Sequence, residues 1–272
     1  MNRNIIGGCL AVLLAGLTVR AEEDTRLLDK ELSQFETWIG IPHSTVKGLP
    51  EGTYQSGDIW KNGKPLGLNA DVKKVFSVIE ENGEPMLQVS GEIFGGLTTK
   101  KEYGNYHFST LFKWGNKKWE PRLNEKFDSG ILYHCYGEYG RFWLAWKTSI
   151  EFQVQQTDLG DFISLMETFR KDGDPGPSAN VSRPIPKSEA SRLDKPQGEW
   201  NRLEIYAVGN DSVHVVNGQV VQVAKDIHLK DGTPLTRGQI QIQSEGAECF
   251  YKDMTLTPID DFPSEIKAYF KK

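Results

Sequence analysis

The sequence predicts an all-β fold, a sandwich or jelly roll of two antiparallel sheets. Three observations carry that expectation. Short runs of alternating apolar and polar residues recur along most of the chain, Gly, Pro and Asn-Gly signals punctuate them, and a single segment has helical periodicity.

The N-terminus reads as a targeting segment. Arg3 supplies a positive start, Ile5 to Leu17 is apolar but too short to span a bilayer, and Val19 and Ala21 fit the small-residue positions of a cleavage site. Residues 1–21 are therefore expected to be a signal peptide and 22–272 a single exported β-sandwich domain. Only Ile5 to Gly8 is apolar before Cys9, and the long apolar run follows it, which argues against a lipid anchor there.

The helical segment comes next. Leu28, Leu32, Phe35 and Ile39 recur at three- and four-residue spacing with charged residues between them, which predicts a short amphipathic helix over Thr25 to Ile39. Residues 40–71 are rich in turn signals. Strands are then expected at Val75 to Ile79 and Met86 to Ile93, joined through Asn82-Gly83, and at Tyr106 to Phe112, Ile131 to Tyr136 and Glu151 to Gln155. Further strands follow at Glu199 to Val208, across Val213 to Val223 with Asn217-Gly218 as a type I′ hairpin turn, and at Gln239 to Ser244 and Cys249 to Leu256. Residues 170–196 hold five prolines and interrupt the pattern, which suggests a loop insertion lying over a sheet face.

Composition excludes several function classes. The formal net charge is −5, the wrong sign for a nucleic-acid partner. Beyond the leader no run is apolar enough to cross a membrane. Cys135 and Cys249 each sit in an apolar strand-like run and read as buried free thiols, although an oxidising compartment permits a disulfide. Sparse Cys and His argue against a zinc cluster.

The chemistry is sought where strands carry unusual polar residues. In Glu151 to Asp161, residues two apart share a face, so Phe152 and Val154 turn to the core and Glu151, Gln153 and Gln155 line the other side, with Asp158 and Asp161 just beyond. Gly238 to Gly246 repeats this, with Ile240 and Ile242 inward and Gln239, Gln241, Gln243 and Glu245 outward. Carboxamides both donate and accept, which suits sugar hydroxyls, and carboxyls serve glycosidic chemistry as acid, base or nucleophile. The same alternation also describes a sheet that merely faces water. Of the tryptophans Trp114, Trp119, Trp143, Trp146 and Trp200, some are expected in the core and some, Trp143 among them, on sugar. By alternation His134 shares a face with Leu132 and Tyr136. Lys147 is placed to bind a hydroxyl, carbonyl or carboxylate, or to be a surface charge.

The segments DSGILYH (Asp128 to His134), SIEFQVQQTDLGD (Ser149 to Asp161), GEWNRLEIYAVG (Gly198 to Gly209), VNGQVV (Val216 to Val221) and GQIQIQSEGAECFYKDMTL (Gly238 to Leu256) resemble, in that order, the 3-keto-disaccharide hydrolase family. The resemblance runs from about Val75 to Pro258. It implies a concanavalin-A-like jelly-roll sandwich, export to a bacterial periplasm, and cleavage of glycosides oxidised to a ketone at sugar carbon 3. This chain departs from the family pattern at Asp128, where Asn is common, and at Ile242, where Leu is common. The implied chemistry removes the C2 proton, eliminates the C1 substituent and adds water. Glu151 is the first candidate for a catalytic carboxyl, with Glu245 and His134 competing for the second role. Lys147, Gln153, Gln155, Asp158, Asp161, Gln243 and Trp143 are the candidate substrate-binding residues. No cofactor is required. A divalent cation is compatible, with Asp158, Asp161 and Glu245 as possible oxygen ligands, though their spacing fits no known calcium loop. Two other functions fit the same residues: a conventional glycoside hydrolase and a non-catalytic lectin-like module.

Overall fold

The computed structural model of the chain describes residues 24–165 and 176–271. The leader Met1–Ala21, Cys9 within it, and the start of the proline-rich stretch lie outside the described residues. In chain order the first strands are β1 (Thr25–Arg26), β2 (Phe35–Ile39), β3 (Gly67–Leu68), β4 (Phe76–Glu81), β5 (Glu84–Val89), β6 (Gly95–Thr99), β7 (Tyr106–Lys118) and β8 (Asp128–Tyr136). They are followed by β9 (Thr148–Gln155), β10 (Phe162–Leu165), β11 (Ser178–Ser182), β12 (Asn201–Val208), β13 (Asp211–Val216), β14 (Gln219–His228), β15 (Gln239–Ser244) and β16 (Ala247–Pro258). The helices are short: α1 (Lys187–Ala190) and α2 (Ser264–Lys267).

These strands form two antiparallel sheets. The larger runs β11-β14-β13-β12-β7-β16-β5-β4, with β1 also paired to β16, and the smaller runs β10-β9-β8-β15-β6-β2-β3. The alternating residues decide which faces meet. Ile131, Tyr133, Ile150, Phe152, Val154, Ile240 and Ile242 of the smaller sheet pack against Phe108, Phe112, Leu203, Ile205, Val221 and Tyr251 of the larger, all nearly or fully buried. Burial of this interior is the main force holding the layers together. A second cluster covers part of the other side of the smaller sheet, where Leu132 meets Phe94, Phe142 and Trp146. A third lies outside the larger sheet, where Val213, Val215, Val220 and Val223 are covered by Phe262 and Ile266 of the C-terminal segment.

The helix expected over Thr25 to Ile39 does not form. Its ends are the strands β1 and β2, and the residues between them turn. The Asp29 side chain accepts hydrogen bonds from the backbone N–H groups of Glu31 (3.1 Å) and Ser33 (2.9 Å), and Leu32 has φ 53°. An Asp that serves nearby backbone in this way competes directly with helix formation. Leu27, Phe35 and Ile39 are buried one by one against the sandwich, which rewards the same apolar residues without a helix. The β2 alternation leaves Glu36 and Trp38 on the opposite side of the strand from Phe35 and Ile39.

In the described part of the proline-rich stretch, expected as a loop over a sheet face, residues 178–182 form a strand. Ser178–Ser182 pairs with β14 and extends the edge of the larger sheet. The chain thus crosses from β10, at the edge of one sheet, to β11, at the edge of the other. Cys135 and Cys249 are free and buried, the first beside Leu132 and Trp146, the second inside the sandwich.

The GEWN and Asn-Gly elements form a structural knot. Asn201 Oδ1 accepts from Lys195 N (3.0 Å) and from Asn217 Nδ2 (2.9 Å), and Asn217 Oδ1 accepts from Arg202 N (2.8 Å). Asn201 is buried. Asn201→Ala removes the acceptor of both bonds, while Asn217 Nδ2 keeps Leu193 O (2.7 Å), and is expected to cost about 1 kcal/mol in urea unfolding at neutral pH. A loss under about 0.5 kcal/mol, the size of an ordinary surface change, would show that the knot is not a stabilising element.

Candidate functional site

The polar residues of β9 and β15 share one face of the smaller sheet with β8 between them. Cross-strand register explains how they come together. Gly130 of β8 stands opposite Gln153, and Leu132 opposite both Glu151 and Gln241. Gln243 in turn stands opposite Gly96 of β6, which pairs with Trp38 of β2. Gly130 therefore sits between β9 and β15 with no side chain to keep them apart. A Cβ placed there would lie 2.3 Å from Glu151 Oε1 and 2.4 Å from Gln243 Oε1. The missing side chain is what lets the carboxyl and the carboxamide lie flat over β8 and meet.

Around this pair the face is acidic. Arg122, from the turn before β8, ion-pairs with Asp128 and also with Glu245 (Nη1 to Oε1, 3.0 Å). Gln155 Nε2 donates to Asp128 Oδ2 at 2.5 Å. Asp128, Glu151 and Glu245 are all nearly buried. Burial pushes the Asp128 carboxyl up to about 6, against the pull of Arg122. Burial raises Glu151 well above the ordinary carboxylate range, and the Asp128 charge adds to it. Glu245 is raised in the same sense, again by burial first and Asp128 second. No described residue donates a hydrogen bond to the Glu151 carboxyl, so nothing nearby but the Arg122 charge favours its ionised form. Such a carboxyl is suited to carry a proton near neutral pH.

Aromatic rings wall one side. Trp60 meets Phe94 (5.1 Å) and Trp143 (4.8 Å) edge-on, and Trp143 stacks on Phe142 at 4.8 Å. The Trp143 indole N–H is buried without a partner. Trp38 stacks on Tyr139 at 5.7 Å, and Tyr139 donates to Glu36 (3.1 Å). A separate cavity of about 250 Å3, lined by Arg26, Ser109 and Arg202 among others, opens on the larger sheet and shares no residue with this face.

The structure brings together Glu151, Gln153, Gln155, Gln243 and Glu245, with Trp143 in the neighbouring aromatic wall. It places the other candidates elsewhere. Lys147 Nζ donates to Gly137 O (2.6 Å) and lies 4.5 Å from the Tyr139 ring, so its ammonium is committed to the 137–139 turn. Asp158 pairs with Lys126 and Lys187 at 2.6 Å, and Asp161 with Arg183 (2.9 Å) and Lys187 (2.5 Å). These two acids anchor the segment leading from β11 and are not turned to the sheet face. Among the described residues no group of three or more His, Cys, Asp and Glu side chains could hold a metal ion, so Asp158, Asp161 and Glu245 are not a ligand set.

His134 is turned away from the face by a bulge. Between Tyr133 and Tyr136 the β8–β9 register shifts, and His134 adopts φ 50°. Its ring packs against Tyr106 (5.9 Å) and Tyr133 (5.3 Å), fully buried on the core side. Burial holds its pKa down at about 4, so it is neutral near pH 7. His134→Leu is therefore expected to keep full activity. A histidine with folded pKa below its unfolded 6.5 destabilises as pH falls through that interval. The variant's stability relative to the parent should accordingly rise between pH 6.5 and pH 4 by about 3 kcal/mol, on top of a constant penalty of about 1 kcal/mol for Leu at positive φ. Chemical unfolding at a series of pH values reads this; a pH-independent difference would place the histidine in water.

Arg122, Trp38 and Trp60 escaped the sequence reading, and Asp128 stands there only as a departure from the family pattern. Arg122 and Trp60 lie outside strands and carry no periodic signal, whereas Trp38 alternates with Phe35 and Ile39 in a segment whose spacing equally fits a helix.

The sequence model of the 3-keto-alpha-glucoside-1,2-lyase-like domain matches residues 45–257. Among curated proteins nothing matches. Similar solved structures include a "Putative glycosyl hydrolase" from Parabacteroides distasonis, 18% identical, covering 68% of this chain and 91% of that chain with TM-score 0.43. The carbohydrate binding module CBM66 from Bacillus subtilis is 11% identical, covering 67% of this chain and 91% of its own at TM-score 0.41. LamAcat from Zobellia galactanivorans is 9% identical, covering 88% and 97% at TM-score 0.39.

Proposed function

This chain belongs to the 3-keto-alpha-glucoside-1,2-lyase-like family, and from that premise we propose that it is an exported glycosidase that cleaves glycosides carrying a ketone at sugar carbon 3. The observation that carries the reading is the Glu151 carboxyl, buried without a donor beside Gln243 over Gly130 and within the field of Asp128 and Arg122.

A 3-keto sugar makes its C2 proton acidic. A carboxylate removes that proton, and the electron pair moves into an enediolate with its negative charge on the C3 oxygen. The charge returns to re-form the ketone, the C1=C2 bond forms, and the bond from C1 to the aglycone oxygen breaks. That oxygen takes a proton from a carboxylic acid. Glu151 and Glu245 fill the two roles, which need groups whose pKa lies well above that of a free carboxylate. The amides of Gln153 and Gln243 hold hydroxyls or donate to the C3 oxygen as charge develops on it. Water then adds at C1 of the enone, the carboxylate that protonated the aglycone takes the water proton, and the first carboxylic acid returns its proton to C2. Both groups are reset. The Trp143 wall supplies an apolar surface for a sugar ring.

The test is a parallel incubation of the purified protein with a glucoside and with its 3-keto derivative, together with a binding titration. Cleavage confined to the keto form is expected. Cleavage of the plain glucoside would indicate an ordinary glycoside hydrolase, and binding of either sugar without cleavage a lectin-like module. Both of those results overturn the proposal.

A further inference from the structure

The polar face holds more oxygen than its own donors satisfy. Asp128 Oδ1, Gln153 Oε1 and Gln243 Oε1 are each buried with no hydrogen-bond partner. The Glu151 carboxyl receives no hydrogen bond either. These acceptors come from three adjacent strands, and two of them meet over Gly130. Gln243 is 1% exposed and its Oε1 is shut off from bulk water. Buried acceptors without donors are rare in folded proteins, and a group of them on one patch calls for a shared partner.

The charge balance points the same way. Asp128, Glu151 and Glu245 carry three negative charges when ionised. Arg122 is the cation that pairs with Asp128 and Glu245, and among the described residues no other lysine or arginine pairs with any of the three. Ionised Glu151 therefore has no cation of its own.

We infer that this face binds one hard divalent cation of the Ca2+ type, with Glu151 Oε1, Gln243 Oε1, Gln153 Oε1 and Asp128 Oδ1 as its protein ligands. Oxygen-only ligands, two carboxylates and two amide carbonyls, suit a hard cation and not a thiophilic one. A divalent ion supplies the cation that an ionised Glu151 lacks. Arg122 and Gln155 both bond to Asp128 Oδ2. They act as an outer shell that fixes the carboxylate and leaves Oδ1 free. The remaining coordination positions face outward, where water or a sugar oxygen takes them. Glu151 ligates through Oε1 and keeps Oε2 for proton transfer, so the inference adds to the proposed reaction without replacing its groups.

The full chain is dialysed against EDTA and titrated calorimetrically with CaCl2, MnCl2 and MgCl2. Saturable binding of one Ca2+ per chain is expected, with a dissociation constant of roughly 10⁻⁴ M, and a Tm that climbs with the logarithm of CaCl2 concentration. Glu151→Gln and Gln243→Leu should each weaken binding at least about tenfold. Gln153→Leu, at a half-buried position, gives the same test should Gln243→Leu fail to fold. Asp158→Asn, outside the cluster, should bind as the parent does. No binding of any of the three cations by the parent, or equal binding by the ligand variants, overturns the inference. If the EDTA-treated protein binds no cation yet cleaves a 3-keto glucoside, the cation site falls and the proposed function stands. If it binds Ca2+ but cleaves nothing, the reverse holds.

Discussion

Glu151→Gln, assayed on a 3-keto glucoside, is expected to lose at least about 10³-fold in kcat/KM, the scale of removing an acid–base group, and at the same time to be more stable than the parent. The two effects have one cause. The Glu151 carboxyl is buried with no hydrogen-bond donor, and Gln243 Oε1 lies beside it with no partner. A glutamine there is neutral, and its amide N–H can donate to Gln243 Oε1. In EDTA-treated protein the gain should be about 2 kcal/mol at neutral pH. Its pH dependence has a definite sign. A carboxyl with folded pKa raised above the unfolded value favours folding below the unfolded pKa and loses that contribution as pH rises. The variant's advantage should therefore open above about pH 4.5 and widen toward neutrality. Paired unfolding curves and initial rates measure both effects. Wild-type activity in the variant would remove Glu151 from the chemistry, and a large loss of stability would show that its charge is compensated in the fold.

Gly130→Ala should separate activity from stability in the other sense. The added methyl would stand 2.3 Å from Glu151 Oε1 and 2.4 Å from Gln243 Oε1, so neither group could keep its place. Both atoms end flexible side chains that can swing outward. The stability cost should stay near 1 kcal/mol. Displacing the reacting group by an ångström or more should cost about 10²-fold in kcat/KM. Contrast Gly238, where a methyl would meet the His134 backbone at 2.4 Å and the chain itself would have to move. If Gly130→Ala retained full turnover, the proximity of Glu151 and Gln243 would have no part in catalysis.

The strands and the inward or outward sense of their residues were readable from period-two alternation. Phe152 and Val154, like Ile240 and Ile242, face the core because a sheet covered on that side requires it. The convergence of Glu151 with Gln243 was not readable. It depends on β8 being inserted between β9 and β15, and strand order is decided by packing of the whole chain. His134 shows the limit of alternation, because a single extra residue in β8 moves a side chain from one face to the other. Leu28, Leu32, Phe35 and Ile39 show the limit of helical periodicity, since the same spacing serves a turn and a strand once Asp29 has bonded to the backbone of Glu31 and Ser33. Asp158 and Asp161 looked like free acids only because Lys126, Arg183 and Lys187 are 22 or more residues away in sequence.

The crossing from β10 to β11 has a mechanical consequence. Two stacked sheets have one soft collective motion, sliding past each other in the plane between them. Here a single chain leaves the rim of one layer, joins the rim of the other, and is fastened back to the first by Arg183 and Lys187 on the turn that follows β9. The turn that joins the Glu151 strand to the edge strand is thereby tied to both layers. Slippage is opposed by ionic moorings, so high salt should loosen the register of the two layers before it loosens either sheet.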